Sequence, residues 1–106
     1  MTETQALWEQ LADELEATDP GVARSTMMGL PCLRLEGAFF ASLDKRNSAL
    51  IVKLAADDVA ARIAAGRGSP FAPAGKVFRE WLVVHGEDPG TWRGAIGDAL
   101  SFARTK

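Results

Sequence analysis

The feature that most constrains this fold is the alternation of apolar and polar side chains through much of residues 22–54. In residues 33–36, for example, two leucines alternate with an arginine and a glutamate. A period of two residues is typical of a strand. Short polar turns at 36–37 and 44–48 separate the successive strands, and such turns join antiparallel neighbours. The region therefore predicts three antiparallel strands, or four if residues 22–28 also form one.

Helical patterns lie on both sides of this region. Met1 to about Thr18 reads as an amphipathic helix with one apolar stripe, and its opposite side carries carboxylates of the kind found on solvated surfaces. A short alanine-rich helix begins at Asp57 and is closed by Gly66, since glycine favours the left-handed conformation that ends helices. Residues 77–84 then become almost continuously apolar, which is typical of a strand covered on both sides.

A final helix follows Asp88-Pro89, because aspartate is a good N-cap and proline suits the first helical position. Trp92 and Ile96 begin its buried stripe. Gly94 and Gly97 each cost such a helix about 1 kcal/mol relative to alanine. That cost indicates either close backbone packing or a locally weak element.

The order of these patterns is α-β-β-β-(β)-α-β-α. It predicts an α+β fold in which helices pack against one antiparallel sheet. At 106 residues the chain buries about two-thirds of its unfolded surface, enough to fold without metal or disulfide. We predict a single domain, residues 1–106, without repeat or linker.

Composition limits the location and the partners. The net charge is −2 and the pI is near 5.3, which argues against bulk electrostatic capture of nucleic acid, so specific nucleic-acid binding is not expected. No apolar run approaches a membrane span, and the N-terminus lacks a signal-peptide pattern. Cys32 is the only cysteine, which fits a reducing cytoplasm and a packing role. We expect a cytoplasmic protein without membrane contact.

The glycine- and proline-rich stretch 66–81 has a composition that helix or strand formation does not explain. It fails the phosphate-loop pattern, because Pro70 stands where that pattern needs glycine and Val77 where it needs serine or threonine. It is either a structural connection with ordinary surface charges or a small-anion or partner-binding site. The second hypothesis uses four basic side chains within the stretch and its flank: Arg62, Arg67, Lys76 and Arg79.

Catalytic and metal sites are not predicted. His85 is the only histidine, and no cysteine or carboxylate cluster at ligand spacing accompanies it, so we interpret it as a surface residue at a strand end. The chain offers no nucleophile with a base and no cofactor fingerprint. We therefore expect a non-enzymatic protein without cofactor, in preference to an enzyme or a binder of small molecules.

Four motifs resemble the N-terminal domain of the TfoX/Sxy competence-regulator family. They are Met27-Met28-Gly29, a hairpin over residues 37–41, Val52-Lys53-Leu54, and a signature from Phe71 to Trp81. Their order and spacing hold across most of the chain. The departures from the commonest family residues are Met28, Ala38, Phe78 and Arg79. Ala38 replaces the hairpin lysine of the family, so no role that depends on that lysine carries over.

The resemblance implies a fold similar to type III secretion chaperones. The function it implies is that of a stand-alone regulatory or interaction module, with a protein partner or a second copy of the chain as its partner. Full-length competence regulators add a C-terminal helical domain, so their mechanism is not expected to transfer. The alternatives are a YjbR-like DNA-binding domain, whose family shares the hairpin and strand pattern, and a small-anion-binding protein.

Overall fold

A computed structural model describes residues 3–27 and 29–105, without the side chain of Met27. Met1, Thr2 and Met28, on which parts of the helix and motif predictions fall, lie outside the described residues. The elements in chain order are α1 (Glu3–Thr18), β1 (Val22–Met27), β2 (Leu30–Leu35), β3 (Ala38–Asp44), β4 (Ala49–Lys53), α2 (Ala56–Ala64), β5 (Ser69–Phe71), β6 (Phe78–Val84) and α3 (Pro89–Arg104).

The strands form one antiparallel sheet in the order β1-β2-β3-β4-β6-β5. This confirms the predicted α+β class and the order of its elements, including the optional strand at 22–27. The predicted tight turn is also present, with positive φ at Glu36 and Gly37. The predicted similarity to secretion chaperones stays a prediction.

One face of the sheet carries the main hydrophobic core. Leu33 of β2, Leu50 of β4 and Leu82 of β6 pack there with residues of all three helices. Trp8 of α1 and Trp92 of α3 are almost completely buried in this cluster. We call this side of the sheet the covered face.

A bulge in β3 adds to the covered face. Leu33 pairs with Ala41 and Arg34 pairs with Phe39, so Phe40 has no partner of its own. The two residues of a bulge that oppose one partner residue can share a face, and both Phe40 and Ala41 belong to the core. Phe39 consequently shares the opposite side of the sheet with Arg34.

The acidic side of α1 is paired with arginines rather than simply solvated. Arg24 of β1 binds Glu9 at 2.5 Å and Glu16 at 2.9 Å, and it also binds Asp13. Burial lowers the pKa of Arg24, but the hydrogen bonds and charges of these carboxylates outweigh it and raise that pKa above its ordinary value. Arg93 of α3 pairs with Glu14 of α1. Arg104, at the end of α3, pairs with Asp19 in the turn that follows α1.

The glycine- and proline-rich stretch contains a strand that the sequence did not predict. Ser69–Phe71 form β5, which pairs with β6 at the edge of the sheet. Pro70 lacks an N–H donor, and proline is tolerated in an edge strand for that reason. Gly68 precedes β5, and a Cβ at that position would lie 2.6 Å from the side chain of Leu82 and 2.8 Å from the carbonyl oxygen of Val83. Only glycine allows this close approach.

Candidate functional site

The structure separates the four basic residues of the predicted anion or partner site into two pairs. Arg62 and Arg67 line a cleft between α2 and α3. Lys76 and Arg79 do not line it; they are exposed around the start of β6. The stretch therefore contributes to two different surfaces of the molecule.

The cleft between the helices has a volume of about 500 Å³. Its walls come from α2, the segment before β5, the ends of β5 and β6, and the first half of α3. We call it the α2–α3 cleft, and it is lined by Arg62, Gly66, Arg67, Gly68, Ser69, Leu82, Val84, His85, Gly90, Thr91, Gly94, Ala95 and Asp98.

Arg62 connects the two helices of the cleft. Its guanidinium donates to Asp58 of α2 at 2.8 Å and to Asp98 of α3 at 2.9 Å, and its side chain is only 16% exposed. The hydrogen bond to Asp58 is the largest influence on its pKa, which lies above the ordinary arginine value although burial opposes the shift. Arg62 is therefore a structural bridge whose charge is already compensated.

His85 and Ser69 meet at the mouth of the cleft. His85 Nε2 lies 3.0 Å from Ser69 Oγ, because the pairing of β5 with β6 brings the two residues together. Within residues 3–27 and 29–105, the other ring nitrogen of His85 has no hydrogen bond to a carboxylate. A serine nucleophile depends on a base that is itself oriented by a third group. Among the described residues, no such third group accompanies this pair.

The second face of the sheet carries its own apolar cluster. Ala49, Ile51 and Val83 are buried there, and Phe71 and Trp81 pack against them. Among the residues that the structure describes, none that belongs to this cluster lies in a helix. We call this side of the sheet the open face.

Cations lie against aromatic rings on the open face. The guanidinium carbon of Arg34 lies 4.2 Å from the centroid of the Phe39 ring, and Lys53 Nζ lies 5.9 Å from that of Trp81. Both distances suit cation–π attraction. The β4–β6 pairing places Lys53 directly opposite Trp81. Among the described residues, no carboxylate lies within ion-pair distance of Arg34 or Lys53, and the Nε atom of Arg34 is buried without a hydrogen-bond partner.

Apolar side chains extend the open face to the edge of the sheet. The rings of Phe71 and Phe78 are 5.8 Å apart, and those of Phe71 and Trp81 are 6.5 Å apart. Val77 is 55% exposed and Phe78 is 41% exposed, more than any other large hydrophobic residue described. Arg79 is exposed between Phe78 and Trp81, where the irregular pairing of β5 with β6 interrupts the alternation of β6. The result is an apolar patch with basic side chains around it.

Cys32 lies under the open face, where its surroundings disfavour reactivity. It is almost completely buried, and burial raises the pKa of its thiol although Arg34 and Ser25 oppose the shift. A raised pKa leaves less of the nucleophilic thiolate. The position supports the packing role predicted from the sequence.

In residues 3–27 and 29–105, no group of three or more histidine, cysteine, aspartate or glutamate side chains could hold a metal ion. No helix among these residues has both the length and the apolar character to cross a bilayer.

No protein-family model matches the chain, and neither a curated protein nor a solved structure matches it. The resemblance to competence regulators stays a prediction.

Proposed function

We propose that this protein is a non-enzymatic interaction module that binds an acidic segment of a partner protein on the open face of its sheet. The observation that carries the proposal is the combination of exposed apolar side chains with cations that have no carboxylate partner. The resemblance to the competence regulators implies the same role.

The apolar part of the patch supplies the affinity. Phe78, Val77 and the partly exposed rings behind them can bury surface against a partner. Aromatic residues are enriched in the cores of protein interfaces, and a few such anchors carry most of the binding energy. Exposed apolar clusters on otherwise well-packed domains commonly mark such sites.

The cations select the partner. Arg34 and Lys53 lie on the open face, while carboxylates of α1 lie on the other side of the sheet and are paired with arginines. Charge complementarity across an interface favours the correct partner and disfavours like-charged ones. A partner segment that presents Asp or Glu beside apolar side chains fits this surface, whereas a second copy would bring two basic faces together.

A protein partner also agrees with the composition of the whole chain. The net charge of −2 opposes the long-range attraction to phosphate backbones that nucleic-acid-binding domains use. The unpaired Cys32 suits the reducing cytoplasm, and we place the interaction there.

A random-peptide display selection tests this function. The wild-type protein is the bait, and the enriched peptides are then titrated against the Lys53→Glu variant. We expect enriched peptides in which acidic and large apolar residues recur together, and a loss of affinity of about tenfold or more in Lys53→Glu. Lys45→Glu is the matched control, since Lys45 is exposed in the turn between β3 and β4 and its change in charge is the same.

Three results would contradict the proposal. The selection could yield no consensus, or the selected peptides could bind Lys53→Glu as well as they bind Lys45→Glu. The third result concerns single-stranded oligonucleotides. If one binds at physiological salt more tightly than the peptides, and loses that binding in Lys53→Glu, the open face is a nucleic-acid surface instead.

A further inference from the structure

We propose that the α2–α3 cleft is a second binding site, for a small organic anion that carries one carboxylate or phosphate group on an apolar body. The site lies apart from the open face and shares none of its contact residues. The proposal does not depend on the proposed function of that face.

The dimensions and the lining of the cleft indicate an organic ligand. Its volume of about 500 Å³ falls within the range of small-molecule sites, roughly 300–1,000 Å³. An inorganic anion would fill little of that space. Leu82, Val84 and Ala95 contribute apolar surface, while Ser69, His85 and Thr91 contribute polar groups. A ligand with both kinds of surface matches such a mixed lining.

Arg67 supplies the charge that selects an anion. It is exposed at the cleft, and no carboxylate of the described chain lies within ion-pair distance of it. Arg62, by contrast, is already held by Asp58 and Asp98. A guanidinium pairs with carboxylate or phosphate through two parallel hydrogen bonds. Ser69 is two residues from Arg67 in the chain, and Nε2 of His85, which directly follows β6, lies 3.0 Å from Ser69 Oγ. Both residues line the cleft and add hydrogen-bonding groups there.

Glycines keep the cleft open. Gly94 lies in the middle of α3 and lines the cleft, yet a Cβ at this position would meet no atom within 4 Å. Close packing therefore does not explain its presence, although glycine costs a helix interior about 1 kcal/mol relative to alanine. A side chain at position 94 would instead occupy space that a ligand can use. Gly97 has equally open surroundings but does not line the cleft.

The walls of the cleft are held in place before any ligand binds. The bridge from Arg62 to Asp98 fixes α2 against α3, and Asp88 caps the start of α3 through the N–H of Thr91 at 2.8 Å. A preformed site loses less conformational freedom when it binds its ligand. Arg62 is accordingly a positioning residue, and Arg67 is the residue that contacts the ligand.

Protein-observed NMR titration tests the site with four probes. These are 3-phenylpropionate, phenyl phosphate, the neutral 3-phenylpropionamide, and inorganic phosphate, all at matched ionic strength. We expect saturable shifts of the Ser69, His85 and Thr91 amides with the two organic anions at millimolar concentration, and affinities at least about tenfold weaker for the amide and for inorganic phosphate. Tighter binding of one organic anion than the other would assign the head group.

Two variants distinguish the cleft from other surfaces. Gly94→Leu fills the cleft and is expected to reduce the affinity by at least about tenfold, whereas Gly97→Leu, on the same helix, retains it. Both substitutions replace glycine by a better helix former, so both proteins should fold, which their spectra and melting temperatures verify. Arg67→Gln removes the charge and is expected to abolish the preference for the anion over the amide.

The site is ruled out by any of three results: no saturable shift of the cleft amides with either organic anion, equal affinities in Gly94→Leu and Gly97→Leu, or an unchanged preference for the anion in Arg67→Gln. Each of these leaves the proposed function of the open face intact, because Lys53 and Phe78 take no part in the titration.

Discussion

The two faces of the sheet have similar apolar centres and different surroundings. On the covered face, strand residues such as Leu50 and Leu82 meet all three helices and are fully buried. On the open face, Ile51 and Val83 are also buried, but their neighbours are the partly exposed rings of Phe71 and Trp81. An antiparallel sheet with one packed face commonly presents a polar second face. Here the second face is apolar at its centre, as the proposed interaction surface requires.

The apolar side chains of the two faces have different roles in this account. Helices cover one face, and the energy gained there holds the fold. The other face keeps aromatic side chains beside cations such as Lys53 at 5.9 Å from the Trp81 ring, where a partner can reach them. The two faces should therefore respond differently to the same substitution.

The largest effect is expected from Trp92→Ala on the covered face. Trp92 is completely buried and its indole N–H donates to the carbonyl oxygen of Gly86 at 3.1 Å. Its removal leaves a cavity and an unpaired carbonyl, at a cost of about 3–5 kcal/mol in the free energy of unfolding. Denaturant unfolding measures this loss. A value below about 1 kcal/mol would mean that the covered face does not hold the fold.

A smaller effect is expected from Trp81→Ala on the open face. The ring is only half-buried, and hydrophobic stabilisation is proportional to the area removed from water, so we expect a loss of about 1–2 kcal/mol. Trp81→Phe is the control, since it keeps an aromatic ring against Ile51 and Val83. A loss as large as that of Trp92→Ala, measured in the same denaturant series, would erase the distinction between the faces.

The smallest of the three expected effects is a pH dependence of stability, and it involves α3, which packs on the covered face. Hydrogen bonds from the side chain and the backbone N–H of Thr91 hold the pKa of Asp88 below its ordinary value of 3.8. A depressed folded-state pKa gives stability that is present above the unfolded value and is lost as the pH falls through the folded one. Thermal unfolding followed from neutral pH into the acid range should show this loss.

Asp88→Asn is the matched variant for that measurement. Asparagine caps a helix about as well as aspartate but does not titrate. The melting temperature of the variant should therefore fall less steeply in acid than that of the wild type. Identical slopes would show that the Asp88 carboxylate does not contribute to the acid sensitivity of α3.

Much of the fold could be predicted because its signals are local. The period of two in β2 to β4, the tight turn at Glu36-Gly37 and the N-cap Asp88 are each visible within a few residues, and the structure has all of them. β5 was missed because a three-residue edge strand containing Pro70 has no period to detect. Its existence depends on pairing with β6, which is a tertiary contact.

The functional surfaces were less predictable for the same reason. Arg62 and Arg67 are close in sequence, and the structure keeps them in one cleft, but Arg79 is directed elsewhere by β6. Ser69 and His85 are 16 residues apart and meet only through the unpredicted strand. The basic patch was missed because Lys53 reaches Trp81 through β4 and β6, strands that are not consecutive in the chain.

The affinity of Phe78→Ser for the selected acidic peptides tests the central claim most directly. Phe78 is 41% exposed and contacts the ring of Phe71, so its loss should cost only about 1 kcal/mol in the free energy of unfolding and leave the variant folded. We predict that this well-folded variant binds the peptides at least about tenfold more weakly than the wild type does in calorimetric titrations. Binding at wild-type affinity would contradict the assignment of the open face as the interaction surface.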